Sequence, residues 1–124
     1  MKNILLVGLG GMIGSMLRYQ FGLWLTSKTL QIPIGTLAVN IIGSFLIGLL
    51  AGTLTKNPSF SLLLITGLCG GFTTFSAFSL ENLKLIQSGQ IWTAVLYTGL
   101  SVGAGILSCF GSFYLVLKIG NPIN

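Results

Sequence analysis

A short segment rich in glycine, hydroxyl and phenylalanine residues interrupts a long apolar stretch of this sequence. It reads GGFTTFSAFS at positions 70–79, with two adjacent glycines and four hydroxyl residues. In hydrocarbon, such residues leave backbone groups without partners unless the segment is buried in protein or lines a wet cavity. Helix ends and freed carbonyls carry partial charges, and membrane transport proteins use them as ion sites. The segment therefore predicts a broken membrane helix that serves ion permeation.

Two phenylalanines in this segment, Phe75 and Phe78, stand three positions apart. If the chain returns to a helix after Thr74, this spacing puts both rings on one helical face. The edge of an aromatic ring carries partial positive charge, so the rings could face an anion in a dry passage. The alternative is that both rings fill core space, and spacing alone favours that interpretation.

The composition is that of a membrane protein. The 124 residues are 52% hydrophobic and 6% charged, with a mean hydropathy of +0.94. A soluble domain carries about 25% charged residues, so this surface would not be solvated. One span takes about 20 apolar residues, and four such spans fit, at 4–25, 32–54, 60–83 and 91–117. The predicted fold is a single all-α domain over 1–124 with four transmembrane helices, the third broken in mid-membrane.

The first span has one feature of a secretory signal, because Lys2 precedes its apolar run. The run is longer than a signal core, contains Arg18, and lacks a small-residue cleavage site before the polar turn. We therefore expect a retained helix.

Basic residues are divided almost evenly between the two sides of the predicted bundle. Six of them and one acid give a net charge of +5. With four spans, one side of the membrane holds Lys2, Lys56 and Lys118. The opposite side holds Lys28 and Lys84, and Arg18 in the later part of the first helix makes a third basic residue if it is counted there. Because orientation follows the asymmetry of lysine and arginine, the sequence predicts insertion in both orientations. The alternative is a fixed topology with a weak signal.

Two predicted helices carry a narrow polar stripe on an otherwise lipid-like surface. In the second helix, Thr36, Asn40 and Ser44 recur every four residues. The fourth carries small and polar residues at Tyr97, Ser101, Gly105, Ser108 and Ser112. A single serine or threonine usually bonds to its own helix, but a stripe over several turns is not explained in that way. The Asn40 amide needs an interhelical partner or water.

Arg18 is the only arginine of the chain and Glu81 is its only acid. Arg18 either extends to the membrane interface with its stem along the helix or lines an electropositive vestibule that concentrates anions. Glu81, the only acid, is expected to form a surface ion pair with Lys84, three residues further on.

The small and sulfur-containing residues predict tight packing. Gly10 and Gly14 form a GxxxG pair, which lets two membrane helices approach closely. Cys69 and Cys109 lie inside predicted spans without ligand spacing, so we expect buried free thiols with neither disulfide nor metal.

The residue inventory excludes most catalytic chemistry. Without histidine and with one carboxylate, the chain has no acid–base dyad, no catalytic triad and no cage for a hard metal. It also has no phosphate-binding loop and no carboxylate well placed for proton coupling. We predict no enzyme activity and no nucleic-acid partner. What remains is a passive path of hydroxyls, amides, ring edges and backbone dipoles, which suits a strongly hydrated small anion.

Three segments, in order, carry a resemblance to a known family. They are GLGGMIGSMLRY at 8–19, GTLAVNIIGSFLIG at 35–48 and GLCGGFTTFSAFSLE at 67–81. With these segments the chain resembles the Fluc (CrcB) family of small bacterial fluoride channels over nearly its full length. The resemblance implies an antiparallel, dual-topology homodimer in the bacterial plasma (inner) membrane, with the lipid bilayer and a second copy as partners. Two pores would expel cytoplasmic fluoride passively.

The resemblance also implies roles for individual residues. The fluoride pores would be lined by Asn40, Thr74, Phe75, Ser76, Phe78, Tyr97 and Ser101. Arg18 corresponds to an arginine near an aqueous vestibule, and the backbone carbonyls of Gly70 and Thr73 would bind a structural sodium ion on the dimer axis. Ala77 departs from the family pattern, in which a hydroxyl residue is frequent at this position.

Two other interpretations stay open. A dual-topology exporter like the small multidrug resistance family also pairs four short helices, but it requires an acid in the first helix, and 4–25 contains none. A non-transporting assembly or membrane-remodelling subunit explains the GxxxG pair but leaves the polar break and both stripes unexplained.

Overall fold

The structure, a computed structural model, describes residues 1–25, 32–54 and 57–120. Within these ranges the chain forms five helices, which are α1 (Lys2–Leu25), α2 (Ile34–Thr53), α3 (58–72), α4 (Phe75–Gln87) and α5 (Ile91–Gly120). Lys28 and Lys56, which entered the comparison of charges above, lie outside the described residues.

Four segments of the described chain are long and apolar enough to cross a membrane. They are Lys2–Leu25, Ile34–Thr53, Pro58–Gln87 and Ile91–Gly120, so α3 and α4 together make the third span. Many large apolar side chains on the helices point outward, among them Leu107 and Trp92, as expected of surfaces covered by lipid. The prediction of an all-helical protein with four spans is confirmed.

Glycines join α1 to α3. Gly10 and Gly14 are buried, and a Cβ added to either would collide with the carbonyl oxygen of Leu63 or Leu68. From the other side, a Cβ on Gly67 would lie 2.9 Å from the Cα of Gly10. The two backbones therefore touch, which confirms the packing role predicted for the GxxxG pair.

The α3 helix is wound in three ways. It starts with an α-helical turn at Pro58–Ser61, where Asn57 Oδ1 accepts a hydrogen bond of 3.3 Å from the N–H of Phe60. A π-helix follows at Leu62–Cys69, and Gly70–Phe72 returns to α-helix. In π-helix each N–H donates to the carbonyl five residues back, as the Gly70 N–H does to Ile65. The residues of this stretch form an ordinary apolar run, so the sequence did not predict the π-helix.

The polar stripes of α2 and α5 face each other. A Cβ added to Gly48 of α2 would collide with Ser112 and with the carbonyl of Cys109, both on α5. The Ser108 hydroxyl donates to the carbonyl of Ile41 across the same interface at 3.3 Å. Since α4 packs on the N-terminal half of α5, the junction between α3 and α4 lies beside both stripes.

Candidate functional site

The helix of the third span is interrupted at two threonines. Thr73 and Thr74 have extended backbones, with φ and ψ of −74° and 156° at Thr73 and −149° and 124° at Thr74. Threonine favours this conformation at a helix start, because its hydroxyl can accept from a free N–H of the first turn. Thr74 does so, since its Oγ1 accepts from the Ala77 N–H at 3.2 Å. The two threonines thus end α3 and start α4.

The Asn40 side chain replaces the hydrogen bonds that the backbone loses at this interruption. Its Nδ2 donates to the Thr74 carbonyl at 3.0 Å, and its Oδ1 accepts from the Thr74 N–H at 2.8 Å. Both bonds run from α2 to the junction, so the amide has the interhelical partner that its cost in a membrane requires. Asn40 therefore holds the extended backbone in place.

Two carbonyls at the end of α3 lose the donors that a continuous α-helix would give them. The Thr74 N–H would then donate to Gly70, but it donates to Asn40. The Ala77 N–H would donate to Thr73, but it donates to the Thr74 hydroxyl. Gly70 and Thr73 are the two residues assigned to sodium by resemblance.

A cavity of about 270 Å³, called the phenylalanine cavity below, opens next to the junction. Its lining consists of amide, hydroxyl, aromatic and aliphatic groups from Asn40, Ser44, Ile47, Thr73, Thr74, Phe75, Phe78, Ser101 and Val102. Five residues predicted to line a pore therefore meet at one place, and none of the lining side chains is charged. The cavity can offer hydrogen-bond donors and ring edges to an anion.

The two phenylalanines have different surroundings. Their ring centroids are 5.6 Å apart, and the Phe78 ring lies 5.2 Å from that of Tyr97. Phe78 is half-buried against the cluster of Leu85, Ala94 and Tyr97, whereas Phe75 is 79% exposed. The core-filling interpretation is therefore wrong for Phe75 within this chain.

Ser101 brings a hydroxyl group to the residues that line the phenylalanine cavity. Its Oγ is buried and has no hydrogen-bond partner in the part of the chain that the structure describes. Buried hydroxyls are usually paired. A buried hydroxyl without a hydrogen bond, in a residue that lines the cavity, is a candidate donor to a bound anion.

A second cavity of about 500 Å³ lies among α1, α2 and α4, and we call it the arginine cavity. Arg18 lines it together with Thr36, Thr74, Ala77 and Glu81. Thr74 lines both cavities, so this residue lies between them. The guanidinium of Arg18 brings a positive charge to this space and the carboxylate of Glu81 a negative one.

Glu81 is the site residue that the sequence interpretation missed. Its Oε1 accepts from the Thr36 hydroxyl and its Oε2 from the Tyr97 hydroxyl, each at 2.7 Å. The predicted ion pair with Lys84 is wrong, because among the described residues these two hydroxyls are the partners of the carboxylate. Glu81 stands seven positions after Thr74, on the same helical face, and that spacing could have indicated its place.

Two residues predicted to line the pore lie outside both cavity linings. Tyr97 is fully buried and joins α4 to α5 through Glu81. Ser76 is exposed, and its Oγ lies 3.2 Å from the Oγ1 of Thr74. Gly70 is also exposed on the surface of the chain.

Sequence comparisons relate this chain to one family. The sequence model of the family described as "CrcB-like protein, Camphor Resistance (CrcB)" matches residues 5–113. A Flavobacterium psychrophilum protein named "Fluoride-specific ion channel FluC" is 49% identical over 96% of this chain and all of its own length. Proteins of the same name from Rhizobium meliloti and Francisella tularensis subsp. mediasiatica are 46% and 42% identical, each over 94% of this chain and 97% and 95% of their own.

Proposed function

Because the chain belongs to the CrcB family, we propose that it is a fluoride-selective channel that lets cytoplasmic fluoride leave the cell down its electrochemical gradient. The protein is a multi-pass membrane protein of bacterial type. The observation that carries the proposal is the uncharged lining of the phenylalanine cavity, in which the polar residues Asn40, Thr74 and Ser101 meet two aromatic rings. Such a lining replaces the water shell of a small anion without trapping it on a fixed charge.

The proposed path begins at the arginine cavity and continues past Thr74 into the phenylalanine cavity. Arg18 raises the local concentration of anions at the entrance. Asn40, Phe75, Phe78 and Ser101 then line the passage. Ser76, which is linked to Thr74, belongs to the same path.

We further propose that two copies assemble as an antiparallel dimer with two pores, so that the chain inserts in both orientations. The almost even division of basic residues supports dual topology. A ring as exposed as that of Phe75 next to an open cavity supports a second copy as its cover. A tag on the C-terminus that is reached by protease from one side only would contradict dual topology.

The Gly70 and Thr73 carbonyls fit a structural sodium ion on the axis of this dimer. Their usual helical donors are diverted to Asn40 and to Thr74, which leaves the oxygens available to a cation. Oxygen ligands without carboxylates suit a monovalent ion, which needs less compensating charge than a divalent one. When bound, the ion would supply positive charge between the subunits.

Fluoride efflux from liposomes that contain only the purified protein tests the proposal. Efflux of fluoride without chloride, and without a proton gradient, is the expected result. Proton-dependent export of organic cations would favour the multidrug-type exporter, for which α1 lacks the required acid. A well-folded dimer that passes no fluoride would favour a non-transporting assembly subunit.

A further inference from the structure

The only acid of the chain lies beside the path proposed for anions. Glu81 lines the arginine cavity together with Arg18. A carboxylate at this place would repel fluoride unless other groups compensate its charge. Both of its oxygens accept a short hydrogen bond of 2.7 Å from a hydroxyl group, one from α2 and one from α5. Short bonds of this kind to an ionised acceptor are among the stronger hydrogen bonds in proteins.

We propose that Glu81 is a positioning residue that engages the hydroxyl protons of Thr36 and Tyr97, so that Tyr97 supports the pore wall and does not donate to fluoride. The proposal rests on the proposed channel function and assigns tasks within the same site. It differs from the expectation that Tyr97 lines the pore.

The direction of the Tyr97 hydrogen bond is the first reason. A phenol has one proton to donate. The Tyr97 hydroxyl donates it to Glu81 Oε2, so the side that remains for other partners holds oxygen lone pairs. Lone pairs repel an anion. While this bond is formed, the hydroxyl cannot act as a ligand for fluoride.

The position of the Tyr97 ring is the second reason. The side chain is 0% exposed and lies in the cluster with Leu85 and Ala94. Its ring packs on Phe78, with 5.2 Å between the centroids. Tyr97 thus connects the Glu81 carboxylate to a ring of the phenylalanine cavity. Fixing the hydroxyl at one end of Tyr97 restrains the ring that supports Phe78.

Ser101 provides the contrast on the same helix. It stands one helical turn after Tyr97, its Oγ has no partner among the described residues, and it lines the phenylalanine cavity. No hydrogen bond among the described residues holds its proton, so the hydroxyl can turn toward an anion. On α5, Ser101 is therefore assigned as the hydrogen-bond donor to fluoride, and Tyr97 as the residue that supports the pore wall.

The test is a cycle of variants measured by fluoride efflux from proteoliposomes. Tyr97→Phe keeps the ring but leaves the Glu81 carboxylate with one donor fewer, and we expect flux to fall about tenfold, as for loss of a bond to a charged group. Adding Glu81→Gln removes the charge that required this donor. The double variant should recover most of the lost flux. A double variant as slow as Tyr97→Phe would mean that fluoride itself had lost a donor, and the inference would be wrong.

Ser101→Ala is the matched control. Because Ser101 lines the cavity and its hydroxyl has no hydrogen bond to Glu81, the flux of this variant should fall equally with Glu81 and with Gln at position 81. Rescue of Ser101→Ala by Glu81→Gln would overturn the distinction between Ser101 and Tyr97.

A second pair keeps the test independent of the folding of Tyr97→Phe. Thr36→Val deletes the other hydroxyl on Glu81, and Glu81→Gln should rescue it in the same way. Absence of fluoride flux in the unchanged protein would reject the channel, whereas flux in that protein without rescue in either pair rejects only this inference. Thermal unfolding of the same single and double variants measures the coupling between Glu81 and each hydroxyl independently of flux. If the changes in unfolding temperature simply add, the inference is also wrong.

Discussion

The Asn40 amide holds both backbone groups of Thr74, at 3.0 Å from Nδ2 to the carbonyl oxygen and 2.8 Å from the N–H to Oδ1. One side chain on α2 thereby provides hydrogen-bond partners for the backbone of an extended residue in a different span. An amide is suited to this task because it presents a donor and an acceptor side by side.

Asn40→Leu should destabilise the protein and reduce fluoride flux. It leaves the N–H and carbonyl of Thr74 without partners, at a cost of about 2–6 kcal/mol for the two groups together. Thermal unfolding in detergent and efflux per folded dimer measure the two effects. Asn82→Leu is the control, because the Asn82 amide donates to the Phe78 carbonyl at 3.0 Å but does not line the phenylalanine cavity. Equal flux in both leucine variants would remove Asn40 from the site.

Phe78→Ile should leave the dimer intact and strongly reduce flux. The variant replaces a ring edge by an aliphatic group, and a loss of about 1.4 kcal/mol in the passage would slow flux tenfold. Size-exclusion chromatography and efflux are measured on the same sample. Phe113→Ile, on the distant part of α5, should conduct normally. If Phe78→Ile conducts as well as Phe113→Ile, the ring is not on the path.

Gly14→Ala should prevent close packing of α1 on α3. The added methyl would meet the Leu68 carbonyl and lie 2.8 Å from the Phe72 backbone nitrogen. The helices must separate, and we expect a loss of about 1–3 kcal/mol, as for overpacked cores. Gly8→Ala is the control on the same helix, since a Cβ there has nothing within 4 Å. Identical unfolding temperatures for the two variants would contradict tight packing at Gly14.

Sodium should raise the temperature at which the purified protein unfolds. An ion that binds only the folded dimer stabilises it by an amount that grows with the logarithm of its concentration. Unfolding is compared in sodium chloride and choline chloride at equal ionic strength. Curves that superimpose at every concentration would rule out sodium binding at Gly70 and Thr73.

Arg18→Gln should slow fluoride flux most at low ionic strength. A vestibule charge acts over the Debye length, about 10 Å at 0.1 M salt, so added impermeant salt should shrink the difference from the unchanged protein. Lys118→Gln, near the end of α5, is the control for net charge. A defect in Arg18→Gln that does not depend on salt would indicate a structural role.

The sequence was sufficient for the features that depend on composition and local spacing. Hydropathy located the four spans, and the GxxxG spacing located the contact of α1 with α3. It was not sufficient for pairings between helices. The partners of Glu81 lie 45 positions before it and 16 positions after it. Their choice depends on how three helices are rotated in the bundle. The π-helix at Leu62–Cys69 stayed hidden because the same apolar residues suit either hydrogen-bond register.

Thr74 stands at the partition between the two cavities, since it lines both of them. Its hydroxyl caps α4 by accepting from Ala77, and a β-branched side chain has few other rotamers. Turning this side chain aside would break the cap, at a cost of about 1 kcal/mol. Any widening of the partition by Thr74 is therefore coupled to fraying of the first turn of α4, the turn that carries Phe75 and Phe78. Movement of Thr74 and loosening of this helical turn would therefore occur together.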